Sequence, residues 1–499
     1  MKAWHSIMVL SVALMGLNGC TPTRVSDRVP PLIVPERWQN ASDAEPASTS
    51  KDLSQWWKGF GDPMLNDLID HALATNHDLR LAKARVREAK AMVTVAESAL
   101  YPSLDLFTSG GREKRIDRVI GVPGKQGIEL IVPTADVVSG GLAARWEIDV
   151  FGSRHLEAEA AVAQSAGTGE TQRAVQVGLL AQVATNYLEL RGVQQRTNIL
   201  LENIEVQRER LRAVQTFYKA GLVNDMDVAR QETLLHSTEG TLPVLTSTAK
   251  NLIHRLSVLL GETPASLEER LTHSMPLPAT LPTIPRLLPS SLLEQRPDLR
   301  LAQTEVNAAA ASLGAARADL YPKFVLSASG GFGALSVGGF PSLAESVYAL
   351  GSGLTAPIFN AGRIKAHITA ADARLDHVAA NYEKTFLLAL EDTENAYVAH
   401  TAALERRDQL VRAETAAERS HAHAQAFYQR GAVDFLSVLD AQRTRLSTSD
   451  ERTKAETAVR VALVSLYRAF GGGWSDEPSV SRVDNDIDVG KNLKSPCGD

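Results

Sequence analysis

The chain has 499 residues, 44% hydrophobic and 22% charged, with a formal net charge of -6. So weak a bias, without a basic cluster interleaved with aromatics, argues against nucleic acid as a partner. Aromatics at 5% are sparse for several packed domains and suit helical rods, while the two cysteines, Cys20 and Cys497, sit too far apart in sequence to suggest a disulfide framework or a metal site.

Lys2 and the apolar run 7–17 have the form of a signal peptide over residues 1–19, too short for a membrane span. The run closes on Leu17-Asn18-Gly19-Cys20, which resembles a bacterial lipobox. That resemblance implies that Cys20 becomes the first mature residue, carrying diacylglycerol and an amide-linked acyl chain. It also implies delivery to the outer membrane, because Thr21 follows where an aspartate would retain the protein. Several acyl chains anchor where one would not. No later stretch reaches 18 apolar residues, so if the mature chain crosses a bilayer, a closed β-barrel is the remaining way.

Residues 20–61 read as an extended, proline-rich leader ending in Trp56-Trp57-Lys58-Gly59-Phe60, an aromatic cluster suited to docking on the body. A first repeat follows over 62–260. Asp62 suits a helix N-cap with Pro63 at the first helical position. The helix is expected to run to about Leu100, with Leu65, Leu68, Ile69, Ala72 and Leu73 on one face, until Tyr101-Pro102 stops it. A β-hairpin is expected at about 104–151. Its first strand starts near Leu104 and runs to about Arg112. In its second, Leu142, Ala144, Trp146, Ile148 and Val150 alternate with Ala143, Arg145, Glu147 and Asp149. Such alternation fits either a half-buried soluble strand or a barrel strand with these five residues toward lipid.

No proline occurs between Pro133 and Pro243, and the spacing of Leu180, Val183, Tyr187 and Leu190 is that of a coiled-coil seam. A helix from about Ser153 to Tyr218 is predicted, roughly 100 Å long at the usual rise. It ends at a turn, 221–225, where Gly221 is a C′ cap and Asn224 or Asp225 caps a returning helix that Pro243 should kink. Residues 261–297 are proline-rich linker.

The second repeat, 298–473, restates the first. Asp78-Leu79-Arg80-Leu81-Ala82 returns as Asp298-Leu299-Arg300-Leu301-Ala302, Tyr101-Pro102 as Tyr321-Pro322, and Ser109-Gly110-Gly111 as Ser329-Gly330-Gly331. Its hairpin is expected at about 324–358, with Tyr348, Leu350, Leu354, Ala356 and Ile358 sharing a face. Its long helix is proline-free, with a seam through Leu387, Leu390, Tyr397 and Leu404. Its turn, 431–434, places Gly431 and Asp434 as caps, and 474–499 form a polar tail.

Signal, lipobox, Trp-rich leader and two helix–hairpin–helix–helix repeats together resemble a TolC-type outer membrane factor, in its lipidated NodT/OprM-like branch. The implied fold is mainly α with a membrane β-barrel: a trimer with a twelve-strand β-barrel continued by a twelve-helix α-barrel. Physical limits agree. About eight strands are the least that close a barrel, and that interior is filled by side chains. Four strands per chain therefore call for several chains, and three leave room for a pore.

The implied function is the outer membrane channel of a tripartite efflux system. It would be a passive exit duct for small toxic compounds, driven by an inner-membrane pump of the resistance–nodulation–division or major facilitator type through a periplasmic adaptor. The resemblance places a periplasmic gate at Leu436, Asp440 and Arg443. Leu436 and Asp440 share a helical face, and threefold symmetry would make each a ring. Ser437 stands where some relatives carry a second acidic residue. The turns Gly221-Leu222-Val223 and Gly431-Ala432-Val433 resemble the family's adaptor-docking tips. No catalytic constellation, cofactor motif or metal set is found; His421 and His423 do not share a helical face, and surface positions are expected for the histidines. Two other readings are the exit duct of a protein secretion system and a lipid-anchored periplasmic coiled-coil scaffold, which would have no use for four amphipathic strands.

Overall fold

The computed structural model describes residues 32–41, 53–113, 116–118, 129–131, 135–285, 287–337, 340–341 and 345–475. The signal peptide, Cys20, Cys497, much of the leader and nearly all of the tail lie outside them. In chain order the elements are α1 Pro63–Thr75, α2 His77–Ser98, β1 Ser103–Glu113, β2 Ile116–Arg118, β3 Glu129–Ile131, β4 Ala135–Ile148, α3 Ser153–Lys219, α4 Asp225–Glu239 and α5 Leu242–Leu259. Then come α6 Glu268–Leu271, α7 Leu292–Gln295, α8 Pro297–Ala318, β5 Lys323–Val337, β6 Phe340–Pro341, β7 Glu345–Thr355, α9 Arg363–Gln429 and α10 Phe435–Ala469. Each long helix has 67 residues.

Several expectations need correction. The first helix is two: Asn76 leaves helical geometry, caps Leu79 through its Oδ1 at 2.9 Å, and donates from Nδ2 to Leu259 at 2.8 Å. A local side-chain cap outcompetes continuation here. The return after α3 is interrupted at Gly240-Thr241 instead of bent at Pro243, which sits in the first turn of α5, where its missing N–H is harmless. Strand β4 ends at Ile148. Val150 lies beyond it, and Asp149 accepts from the His155 N–H of the following helix at 2.7 Å. Ala356 and Ile358 likewise lie past the end of β7. The seam of α9 runs through Tyr382, Phe386, Ala389, Thr393, Tyr397 and His400, which are buried, while Leu387 is exposed.

The chain forms two compact units, each drawing on both repeats. In the first (80–172 and 297–389), Ala302, Val306, Ala309 and Leu313 of α8 pack on Leu375 and Tyr382 of α9. Gly314 faces Leu156, where an added Cβ would come within 3.0 Å. The buried Glu170 is held by Arg300 at 3.0 Å. This unit carries the sheet.

In the second unit (35–79, 173–296 and 390–499), α1 is anchored as its sequence requires. Asp62 Oδ1 accepts from the N–H groups of Met64 and Leu65 at 2.8 and 3.1 Å, and Leu65, Leu68, Ile69 and Ala72 are fully buried. The leader's aromatics dock as predicted: Trp56 stacks on Tyr467 at 5.1 Å, with Trp57 and Phe60 buried beside it. Val193, Leu200, Ile204, Leu235 and Leu245 form a further core of α3 against α4 and α5.

Candidate functional site

Four long strands form one antiparallel sheet in the order β1-β4-β5-β7, leaving β1 and β7 as edges among the described residues. Directly opposed residues of an antiparallel pair point to the same face. The register pairs Leu106 with Leu142, Leu104 and Ala328 with Ala144, Trp146 with Leu326, Ile148 with Phe324, and Ala328 with Leu350. One face is therefore apolar across all four strands, and it is open: Leu106 is 81% and Leu350 89% exposed. The other face carries Asp105, Ser109, Arg145, Glu147, Ser327 and Ser329, with Ser109 and Ser139 hydroxyls 2.7 Å apart. Trp146 donates its indole N–H to the carbonyl of Leu100 at 2.9 Å, which satisfies its polar atom at the apolar face's margin. Of the five residues expected on this face, Leu142, Ala144, Trp146 and Ile148 lie on it within β4.

Unpaired strand edges are a liability in water and are not tolerated in lipid. An exposed apolar face bounded by two open edges therefore fits a sheet that continues into other copies.

The two helix tips are built alike. Gly221 (φ +73°) and Gly431 (φ +71°) adopt the left-handed conformation that glycine favours. Leu222 N–H bonds Phe217 O and Gly221 N–H bonds Tyr218 O; Ala432 with Phe427 and Gly431 with Tyr428 repeat this, all four at 2.9 Å. This is the Schellman closure of a helix end. Asn224 then caps α4 through Asp227 N–H at 3.0 Å, and Asp434 caps α10 through Ser437 N–H at 3.0 Å. The Ser437 hydroxyl, and then its N–H, hold the Asp434 carboxyl below the usual carboxylate range. Leu222 is 71% exposed at its tip, whereas Val223 and Val433 are half-buried.

Leu436, Asp440 and Arg443 lie along the first turns of α10 and are all exposed. Neither Asp440 nor Arg443 has a hydrogen-bond or ion-pair partner among the described residues of its own chain. In the matching places of the first repeat stand Met226, Arg230 and Thr233, so only the second repeat presents a carboxylate there.

Beneath these residues is a polar layer that the sequence did not disclose. Arg210 of α3 donates to Gln442 of α10 and, at 3.2 Å, to Nε2 of His421 of α9. A guanidinium only donates, so Nε2 accepts and the imidazole is neutral. Burial, then Arg210 and Arg445, hold His421 below the ordinary histidine value. The expectation of a surface histidine is thus corrected for His421; spacing along one helix carries no information about which neighbouring helix faces it. Arg191 was also missed. It is fully buried, donating to Gln194 at 2.7 Å and to the His273 carbonyl at 3.0 Å, with its guanidinium 4.8 Å from the Tyr187 ring.

A model of the outer membrane efflux protein family matches residues 68–262 and 288–472. The pyoverdine export outer membrane protein OpmQ of Pseudomonas aeruginosa is 34% identical over 482 residues, spanning 96% of this chain and 98% of its own. The toluene efflux pump outer membrane protein TtgI of Pseudomonas putida is 30% identical over 425 residues, 83% of this chain and 87% of its own. The solved outer-membrane channel OprN is similar with a TM-score of 0.78 at 32% identity, over 89% of this chain and 99% of that one.

Proposed function

The chain belongs to the outer membrane efflux protein family, and from that membership we propose how this sequence serves as an exit duct. It is the outer membrane component of a tripartite efflux system, working with a periplasmic adaptor and an inner-membrane pump, as a trimeric channel. The observation that carries the reading is the sheet: four long strands with one continuous apolar face and, among the described residues, two unpaired edges, which further copies can close. The apolar face meets lipid, and the face bearing Arg145 and Glu147 meets water in the pore.

The duct performs no chemistry of its own, and the pump supplies the energy. The relatives named for pyoverdine export and toluene efflux differ widely in cargo, and selection is therefore assigned to the pump, not to this chain. Leu436, Asp440 and Arg443 form the periplasmic gate. The tips at Gly221-Leu222-Val223 and Gly431-Ala432-Val433 receive the adaptor, and Cys20 carries the lipid anchor.

The test is direct. Detergent-purified protein should be a trimer and should insert into planar bilayers as a discrete conductance. A deletion strain should become sensitive to toxic compounds such as toluene, or fail to export pyoverdine, in a way that plasmid expression reverses. A monomer without conductance would refute the reading.

A further inference from the structure

The register inside one chain specifies the register between chains. Within the chain, the pair Gly111–Val137 of β1 and β4 recurs as Gly331–Val347 of β5 and β7. The two hairpins are therefore equivalent residue by residue, with Gly111 matching Gly331 and Gly141 matching Gly351. The seam β4–β5 joins the second strand of one hairpin to the first strand of the next. The same join for β7 needs a β1 that its own chain cannot supply.

At the seam β4–β5, Gly141 lies opposite Gly331. A Cβ added to Gly141 would fall 2.6 Å from the Gly331 Cα, and one added to Gly331 would fall 2.7 Å from the Gly141 Cα. The strands meet on that face only because neither residue has a side chain. Gly111 and Gly351 show no such reason among the described residues of the chain: there a Cβ on Gly111 meets nothing within 4 Å, and one on Gly351 meets only Ser327 Oγ at 3.2 Å.

We propose that β7 pairs with β1 of a second copy in the register that sets Gly351 opposite Gly111 of the partner subunit, Leu354 opposite Thr108 of the partner subunit, and Thr355 opposite Phe107 of the partner subunit. This rests on the trimeric reading above and specifies its interface. The register keeps both faces continuous, since Leu354 falls on the apolar face shared by Leu104 and Leu106. A slip of one residue would turn Leu354 toward the polar face. It also places glycine against glycine, so that the internal and intermolecular seams are alike.

Disulfide trapping tests it, because only closely opposed pairs reach bonding geometry. In a Cys497→Ser background, Thr108→Cys is combined in turn with Ser352→Cys, Leu354→Cys and Ala356→Cys. Each single-cysteine variant identifies bonds made through Cys20. On oxidation, the Leu354→Cys combination should give covalent dimers and trimers, with the other two at least about 5-fold weaker. Stronger trapping with Ser352→Cys or Ala356→Cys, or none with Leu354→Cys, overturns the register. Light scattering on the unoxidised protein separates the two failures: a trimer without the expected bond sinks the register alone, and a monomer sinks the exit-duct reading with it. Gly111→Val should abolish the trimer and Gly110→Val, on the apolar face, should keep it. Intact trimers from Gly111→Val would remove the glycine pair from the interface.

Discussion

The Tyr187 hydroxyl donates to Asp62 Oδ2 at 2.6 Å, joining the middle of α3 to the first turn of α1. The same carboxylate uses Oδ1 to cap α1, so one side chain starts a helix and ties it to another. Burial, reinforced by this hydrogen bond to Asp62, pushes the tyrosine hydroxyl well above its ordinary range, and it stays a donor at every physiological pH. Tyr187→Phe should lower stability by about 1.5–3 kcal/mol, the cost of one hydrogen bond to a charged group. Asp62→Ala should cost more, since it removes the cap and strands the hydroxyl. Denaturant midpoints followed by tryptophan fluorescence check the order; a Tyr187→Phe loss equal to that of Asp62→Ala would contradict it.

Arg191 clamps the linker to α3 through the His273 carbonyl, and lysine cannot reproduce its fork. Arg191→Lys should lose about 1.5–3 kcal/mol. Its local signature is faster trypsin cleavage after the half-exposed Arg270, three residues upstream of that carbonyl. Unchanged cleavage at Arg270, with a lowered global midpoint, would show that Arg191 does not hold the linker.

The two repeats, the caps at Asp62, Asn224 and Asp434, and the glycine turns were legible in the sequence, because each is a local signal. Alternation exposed the strands for the same reason, though not their ends: nothing in Val150 or Ile358 says that the ladder has stopped. The break at Asn76 joins a local cap on Leu79 to a bond with the Leu259 carbonyl, far away along the chain, and only the first of these could be seen from its neighbours. The α9 seam was caught at Tyr397 and otherwise escaped, because two of its buried positions, Thr393 and His400, are polar, whereas exposed Leu387 imitates a core residue. Of the candidate site, the glycine tips and the positions proposed for the gate were named from family resemblance and repeat pattern. The Arg210–His421–Gln442 layer was not, since three helices contribute one residue each.

His421 makes the tip sensitive to acid. Its proton affinity is held below the ordinary value of 6.5 by burial and by Arg210 and Arg445. As pH falls below about 6.5, the unfolded chain takes up a proton that the folded chain resists, so stability declines until the lowered folded value is passed. Protonation also forfeits the Arg210 hydrogen bond and adds a third cation. Hydrogen exchange near His421 and Gln442, corrected for its intrinsic pH dependence, should show less protection at pH 5 than at pH 7.5. His421→Gln keeps an acceptor for Arg210 and cannot charge, so its acid loss should be smaller; an identical loss would assign the effect elsewhere.

Cys20 is expected to carry lipid. Labelled palmitate should enter the wild-type protein and not a Cys20→Ala variant secreted by an ordinary cleavable signal. The variant should still fractionate with the outer membrane, because the barrel holds it there independently. Label retained after the substitution would exclude Cys20 as the attachment point.

The gate prediction follows from what Leu436 and Asp440 lack. Both lie one turn apart on an exposed helical face, and Asp440 has no cationic partner within the described part of its chain. Three copies around an axis would bring three carboxylates and three leucines together. The leucine ring resists wetting, and the carboxylate ring attracts cations. Ser437, occupied in capping α10 with Asp434, adds no second acidic ring. Asp440→Ala should therefore raise single-channel conductance and weaken block by multivalent cations, and adding Leu436→Ala should raise conductance further by removing the apolar constriction. Arg443 lies one turn on and is exposed; if it binds a carboxylate of its own or a neighbouring copy, as proposed, Arg443→Ala should open the channel as well, while Arg443→Lys should not. Conductance unchanged in the Leu436→Ala, Asp440→Ala double variant would take the constriction away from these residues.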